Sequence, residues 1–462
     1  MIRFGSDGWS APIGEVFNEG RVRRVADAVA KLWTASHPGA EVLVGYDTRR
    51  QAREMAICAA ETLAAAGFSV KLSRDVCPIS MLAWSIAERE EACGGIMITA
   101  SNAPADYLGI RIRRSDGSSC PQDEIRMLEA LIELNPPEDK GSYEEIDLVG
   151  PYVEHIKTCI HVDVIRDAKL KVVHDPMYGA SRGIVASILS DMGVEVHEVH
   201  GELDPDFGGI HPHIQEPWVD DCERAVLDLG ASAGLINDGD ADRAGLIDEH
   251  GSFISPQMLT TLVIQHLVKN RGLTGRVVIN LAGSAMTRQL VRELGCDLTV
   301  TPIGFSRAGV EMLEGDVLLS SDGMGGLAIP HHFMERDGIL IDLLMVEAMA
   351  MTGQTPAEML NDLVERLGYR SYGSRDVHLD SAAVQSLRNM LPGICPAELS
   401  GKVPVMVNHM DGLRLQFDDD SWVLVRPSRA ESLVRVYAEA STPDDCQALL
   451  EDGAAIARGE LS

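Results

Sequence analysis

Short apolar runs alternate with longer segments of helical period through most of the chain. EVLVGYD (41–47) precedes REMAICAAETLAAAG, whose apolar positions recur every three to four residues, and FSVKL then reads as a second strand. GGIMITA (94–100) follows another helical stretch. KLKVVHD (169–175) leads into SRGIVASILSDMG and VEVHEV, and VVIN (277–280) leads into SAMTRQLVRELG, LTVT, a helix and DVLLSSD (316–322). Strands of this length joined by amphipathic helices predict α/β units with mostly parallel sheets. The alternation falls into three successive blocks with no residue-level repeat. The end of the chain differs. KVPVMVNHM, GLRLQF, WVLVRP and LVRVYAEA read as strands joined by polar turns such as DDDS, closed by a helix over 443–457, which predicts a smaller α+β domain. The expected divisions are 1–147, 148–252, 253–368 and 369–462, with linkers at 136–145 and around 366–374.

Charge and composition then narrow the function. Among 462 residues, 70 acidic side chains outweigh 40 basic ones, a formal net charge of −30. Such a chain repels phosphate backbones and anionic membranes, so neither is an expected partner. A small anionic ligand would need local arginines, helix N-termini or a metal against that field. Nine cysteines without a CxxC pair read as buried free thiols of a reducing cytosol. No signal segment opens the chain and no apolar run approaches 18 residues, which predicts a soluble cytoplasmic protein, monomeric or homodimeric.

The strongest chemical signal is LINDGDADRAGLID (235–248). Asp238, Asp240 and Asp242 alternate in a turn between two apolar strands, a spacing that lets three carboxylates converge on one hard cation such as Mg²⁺. An EF-hand is excluded, because Arg243 occupies the position that needs Gly and the flanks are strands. Ser101 ends the strand of GGIMITASNAPADYLGIRI (94–112) in a polar turn, placed as an exposed nucleophile; taken alone, an ordinary turn serine is the better reading. SSDGMGGLAIPHH (320–332) has a Gly-rich loop after a strand. RPSRAESLVRVY (426–437) brings Arg426, Ser428, Arg429 and Arg435 near one turn, where a phosphate cradle and a solvated turn are equally good readings.

Taken in order, these sites resemble the α-D-phosphohexomutase superfamily over essentially the whole chain. RFGSDGW (3–9) resembles the family opening FGTDGWR, and TASNAPADYLGIRI its TASHNPxxYNGxK phosphoserine loop. DPMYGASRG (175–183), FGGIHP (207–212) and DGDADR (238–243) also match. SDGMGG (321–326) stands in the place of the sugar-recognising GExSG loop, and RPSRAES in that of the phosphate-binding RPSGTEP loop. The resemblance implies four domains around a central cleft. It also implies Ser101 as phosphoryl carrier and Mg²⁺ on Asp238, Asp240 and Asp242, with Arg111 and Arg243 in the catalytic centre. Asp322, Met324 and Gly325 would meet the sugar, while Arg426, Ser428, Arg429 and Arg435 would hold its phosphate. A sugar bisphosphate would serve as intermediate and activator.

The departures are specific. Ser10 replaces the family Arg, Asn102–Ala103 the His–Asn pair, and Arg111 the Lys of proton transfer, although Arg is a poor acid or base because it stays protonated up to about pH 12. Ser306, next to Arg307, replaces the Lys of the VGFK motif. Asp322 and Met324 replace Glu and Ser of the sugar loop, and Arg429–Ala430 replaces Gly–Thr of the phosphate loop. A mutase acting on a non-standard sugar phosphate is the first expectation. A phosphoserine-dependent phosphatase or phosphotransferase is the second, and a non-catalytic phosphosugar-binding relative the third.

Overall fold

The computed structural model describes residues 2–5, 7–428 and 432–461. The apolar runs become strands, and Glu41–Tyr46 is buried at every position after its first, as a strand covered by helices on both faces must be. The first sheet has the order Trp9–Pro12, Tyr107–Arg114, Ala92–Ile98, Glu41–Tyr46, Ser69–Ser73, Glu144–Ile146. Its last four strands are parallel, and Tyr107–Arg114 runs against both neighbours. The second sheet has the order Phe253–Ile254, Ala244–Ile247, Ala233–Asn237, Lys171–Asp175, Glu195–Glu198. The third has Leu298–Thr301, Arg276–Asn280, Val317–Ser321, Leu327–Ala328.

These sheets are mixed, with parallel pairings in the majority in the first and third and equal to the antiparallel ones in the second, and they share one device. In each, the third strand of a parallel trio turns back antiparallel: Ala92–Ile98 into Tyr107–Arg114, Ala233–Asn237 into Ala244–Ile247, Val317–Ser321 into Leu327–Ala328. The three polar loops singled out in the sequence are these three turn-backs. A repeat absent from the residues is therefore present in the topology.

The fourth sheet is antiparallel throughout, ordered Ser371–His378, Leu433–Ala440, Trp422–Pro427, Leu413–Gln416, Met406–Asn408, with the helix Pro443–Arg458 packed on it. Two expected linkers are partly strand. Glu144–Ile146 adds a parallel edge to Ser69–Ser73, and Ser371–His378 pairs along its whole length with Leu433–Ala440. Six cysteines are buried as expected, but Cys159 and Cys296 are half-buried and Cys395 is exposed. Among the described residues no helix is long and apolar enough to cross a membrane.

The second and third sheets share a core built on the helix Gly338–Thr352, buried at every residue from Gly338 to Met349. A helix buried on all sides has no solvent face and must lie between layers. Among the contacts that tie the fourth sheet to the third unit, one buried carboxylate gathers three donors. Buried Glu439 accepts from Ala285 N (2.7 Å), Trp422 Nε1 (2.9 Å) and Ser284 Oγ, at the start of the helix Ala285–Glu293. Glu439→Ala strands these donors away from water, each at about 1–3 kcal/mol. Urea unfolding is expected to lose about 3 kcal/mol or more, and Glu439→Gln less than half of that; a loss under 1 kcal/mol for the alanine variant would contradict this account.

Candidate active site

Ser101 lies just beyond the strand Ala92–Ile98, buried, with φ 51°, a left-handed conformation that a non-glycine residue holds only under constraint from its surroundings. The constraint is Arg49. Its guanidinium donates to four carbonyls of the loop: Ser101 (2.6 Å), Ala103 (2.7 Å), Pro104 (2.6 Å) and Tyr107 (3.1 Å). Asp47 pairs with Arg49 Nε at 3.2 Å, and the Phe207 ring lies 4.8 Å beneath the guanidinium. Ser101 Oγ donates to Asp238 Oδ2 at 2.9 Å. Thr99 Oγ1 accepts from Ser101 N (2.9 Å) and donates to Asp240 Oδ2 (3.2 Å), so the serine and carboxylate loops hold each other. Their backbones touch. A Cβ on Gly239 would sit 2.4 Å from the Ser101 carbonyl oxygen, so only glycine permits this approach.

Asp238, Asp240 and Asp242 are fully buried, and one oxygen of each lies within 4.8 Å of the others. Their second oxygens are divided. Arg111 Nη1 donates to Asp242 Oδ2 (2.6 Å) and meets Asp240 Oδ2 (3.0 Å), and Arg336 Nη2 meets Asp242 Oδ2 (2.8 Å). Asp240 Oδ1 and Asp242 Oδ1 are buried with no hydrogen-bond partner. Burial drives the Asp238 carboxyl well above the ordinary range, with Asp242 and Asp240 adding to it, and burial pushes Asp240 up to about 6 against the pull of Arg111. Burial also raises Asp242, but Arg336, Arg111 and Arg243 more than offset it and hold that carboxyl low. Converging buried oxygens, two of them orphaned beside a serine hydroxyl, fit a hard divalent cation.

The sugar-loop candidates join this centre from the third sheet. Asp322 Oδ1 accepts from Met324 N (2.7 Å) and Gly326 N (2.9 Å); its Oδ2 meets Arg243 Nε (3.3 Å) and Arg336 Nη1 (3.1 Å). Gly325, at φ 93°, accepts from Ala244 N (3.0 Å) and docks the loop on the carboxylate hairpin; a Cβ there would lie 2.5 Å from the Ala244 oxygen. Met324 is 37% exposed.

Arg426, Ser428 and Arg435 lie elsewhere, in a cavity of about 660 Å³ whose lining includes Arg3, Gly304, Ser306 and Arg307 but none of the three aspartates. Arg426 Nε donates to Asp411 Oδ2 (2.7 Å) and Arg435 Nε to Asp376 Oδ1 (2.8 Å). Arg307 makes no ion pair among the described residues. Arg429 lies outside the described residues.

Comparison with known proteins decides the family. The patterns for phosphoglucomutase/phosphomannomutase alpha/beta/alpha domains I, II and III match residues 1–138, 150–251 and 255–367, in that order. The chain belongs to the phosphoglucomutase/phosphomannomutase family. It is therefore an enzyme of the intramolecular phosphotransferase type. A phosphoglucomutase/phosphomannomutase of Thermococcus kodakarensis is 28% identical over 418 residues, 89% of this chain and 88% of that one. A Methanopyrus kandleri protein with the provisional name phosphoglucosamine mutase is 27% identical over 98% of this chain and 97% of its own. A solved structure from Thermus thermophilus, provisionally a phosphomannomutase, superposes with TM-score 0.89 at 29% identity, covering 99% of both chains.

Against this family frame, the structure adds residues that sequence reasoning missed. Arg336 is the foremost. Buried, it also reaches Asp7 Oδ2 (2.5 Å), and Asp7 in turn meets Arg111 Nη2 (3.2 Å). Glu335, next to it, pairs with Arg113 Nε (2.9 Å). The one available signal was the charge run ERD just after the Gly-rich loop. Removing one partner of a buried ion pair typically costs about 3–5 kcal/mol, because the other charge stays behind. Arg336→Met is expected to lose stability of that order in chelator and to regain, with added Mg²⁺, a larger share than the parent gains. Parent-like unfolding in chelator would show that Arg336 does not balance the carboxylates.

Proposed function

We propose that this enzyme is a Mg²⁺-dependent phosphosugar mutase that interconverts the 1-phosphate and terminal-phosphate forms of a sugar through a phosphoserine at Ser101 and a bisphosphate intermediate. One observation carries the reading: Ser101 Oγ lies 2.9 Å from Asp238 Oδ2, within a buried cluster of three carboxylates. Asp238, Asp240 and Asp242 would hold the cation, which when bound neutralises charge developing on the transferred phosphoryl group. The protein supplies position and fixed charge. Arg49 holds the serine loop by its carbonyls, and the Asp238 hydrogen bond aims Oγ into the cluster. In phosphoryl transfer the Oγ–P bond breaks as a bond to a sugar hydroxyl oxygen forms, that hydroxyl's proton ends on Ser101 Oγ, and the return step reverses this with the sugar's other phosphate. Arg111, ringed by Asp240, Asp7 and Asp242, stays a cation and cannot shuttle the proton as a lysine would. Arg307, Arg426, Arg435 and Ser428, with Arg429 beside them in sequence, are the groups that would grip the non-reacting phosphate.

The same geometry speaks to the sugar. Both oxygens of Asp322 are taken by loop amides and by two guanidinium groups, and Met324 offers no hydroxyl to pair. A pocket that offers a substrate hydroxyl no hydrogen-bond partner disfavours its bearers by about 10²-fold. Ser101→Ala is expected to abolish the mass gain seen in the parent after incubation with a hexose 1,6-bisphosphate, together with all turnover; a phosphorylated alanine variant removes Ser101 from the mechanism. In a panel of sugar phosphates with Mg²⁺, glucose 1-phosphate and mannose 1-phosphate are expected to be poor substrates. Efficient isomerisation of either overturns the specificity argument, and phosphate release without isomerisation overturns the mutase reading in favour of a phosphatase.

A further inference from the structure

Away from the carboxylate centre, three donors of another kind converge. His155, on the helix Val149–Ile156, and Cys159, one turn later, face His332 from the loop after Leu327–Ala328. His155 Nε2 lies 3.0 Å from His332 Nδ1, and Cys159 Sγ lies 3.6 Å from each of those nitrogens. An ion about 2.3 Å from sulfur and about 2.05 Å from nitrogen, with tetrahedral angles, sets S···N near 3.55 Å and N···N near 3.35 Å. The sulfur distances already match, and the nitrogens need separate by only a few tenths of an ångström.

The supporting groups point the same way. His332 Nε2 bonds Asp337 Oδ2 at 2.9 Å, which leaves Nδ1 as the nitrogen facing the cluster; carboxylate-backed imidazoles of this kind are the usual support of a metal ligand. Tyr152 OH donates to the same Asp337 oxygen, and the Trp84 ring lies against His155 at 4.8 Å. His155 and Cys159 are part-exposed, which leaves an ion an entry path and water a fourth position from their side, while the His332 side chain is buried. Two imidazoles and one thiolate form a borderline-soft set that favours zinc over Mg²⁺.

We propose that His155, Cys159 and His332 form a zinc site, independent of the aspartate cluster. It links the helix before the second sheet to the loop of the third unit that carries Glu335 and Arg336 into the active centre. The thiol proton leaves to solvent when zinc binds, and no electron is transferred. Cobalt(II) serves as the optical probe. Chelator-treated protein titrated with Co²⁺ is expected to take one equivalent with a thiolate-to-metal charge-transfer band and visible bands of tetrahedral cobalt. Cys159→Ser should lose the charge-transfer band, whereas Asp240→Asn should keep it. Equimolar Zn²⁺ should also slow iodoacetamide alkylation of Cys159 at least tenfold in the unmutated protein, with exposed Cys395 reacting at an unchanged rate as the internal control. The proposal falls if no charge-transfer band forms, if the band survives Cys159→Ser, or if zinc leaves Cys159 alkylation unchanged.

Discussion

Buried charge must be balanced where it stands, and that constraint organises this molecule. Asp7, Asp240, Asp242, Asp322 and Glu335 meet Arg111, Arg113, Arg243 and Arg336 in one network. Its members come from the chain's opening segment and from all three mixed sheets. Each unit carries charges it could not bury alone, so the units are complete only when assembled. The hydrophobic core on Gly338–Thr352 supplies much of the adhesion, while the ionic network sets the register in which the loops meet.

That division explains what could be read from residues alone. The buried strands were legible because EVLVGY or KVVHD cannot face water, and the aspartate hairpin because three alternating carboxylates in a tight turn have few bland explanations. Glu144–Ile146 was not legible: its three residues EEI carry no apolar pattern and are strand only because Ser69–Ser73 offers an edge. Ser371–His378 reads as polar for the same reason, being an edge strand of its sheet. Arg336 was missed because its partner Asp7 lies 329 positions away, and the spacing of charges along a chain is silent about contacts that folding creates.

The recurrence of one strand order in three sheets gives the site a simple origin. A parallel trio followed by an antiparallel return places a polar loop at the same end of each sheet, and those three loops meet at one centre. The site is then divided by loop, with Ser101 on the first, the three aspartates on the second and the Asp322 turn on the third. Gly239 and Gly325 let these loops approach at backbone distance, closer than side chains could bring them.

The arginine-lined cavity sits in a chain of net charge −30, and this shapes how an anion arrives. Far from the surface, any anion is repelled. Within a Debye length of the mouth, about 10 Å at 0.1 M salt, the local guanidinium groups take over. Encounter is thus a crossing from a repulsive outer field into a short attractive funnel, unlike the long-range capture of electrostatically steered enzymes. Moderate salt, by screening the outer field before the inner one, lowers the barrier to an anion's entry into this cavity.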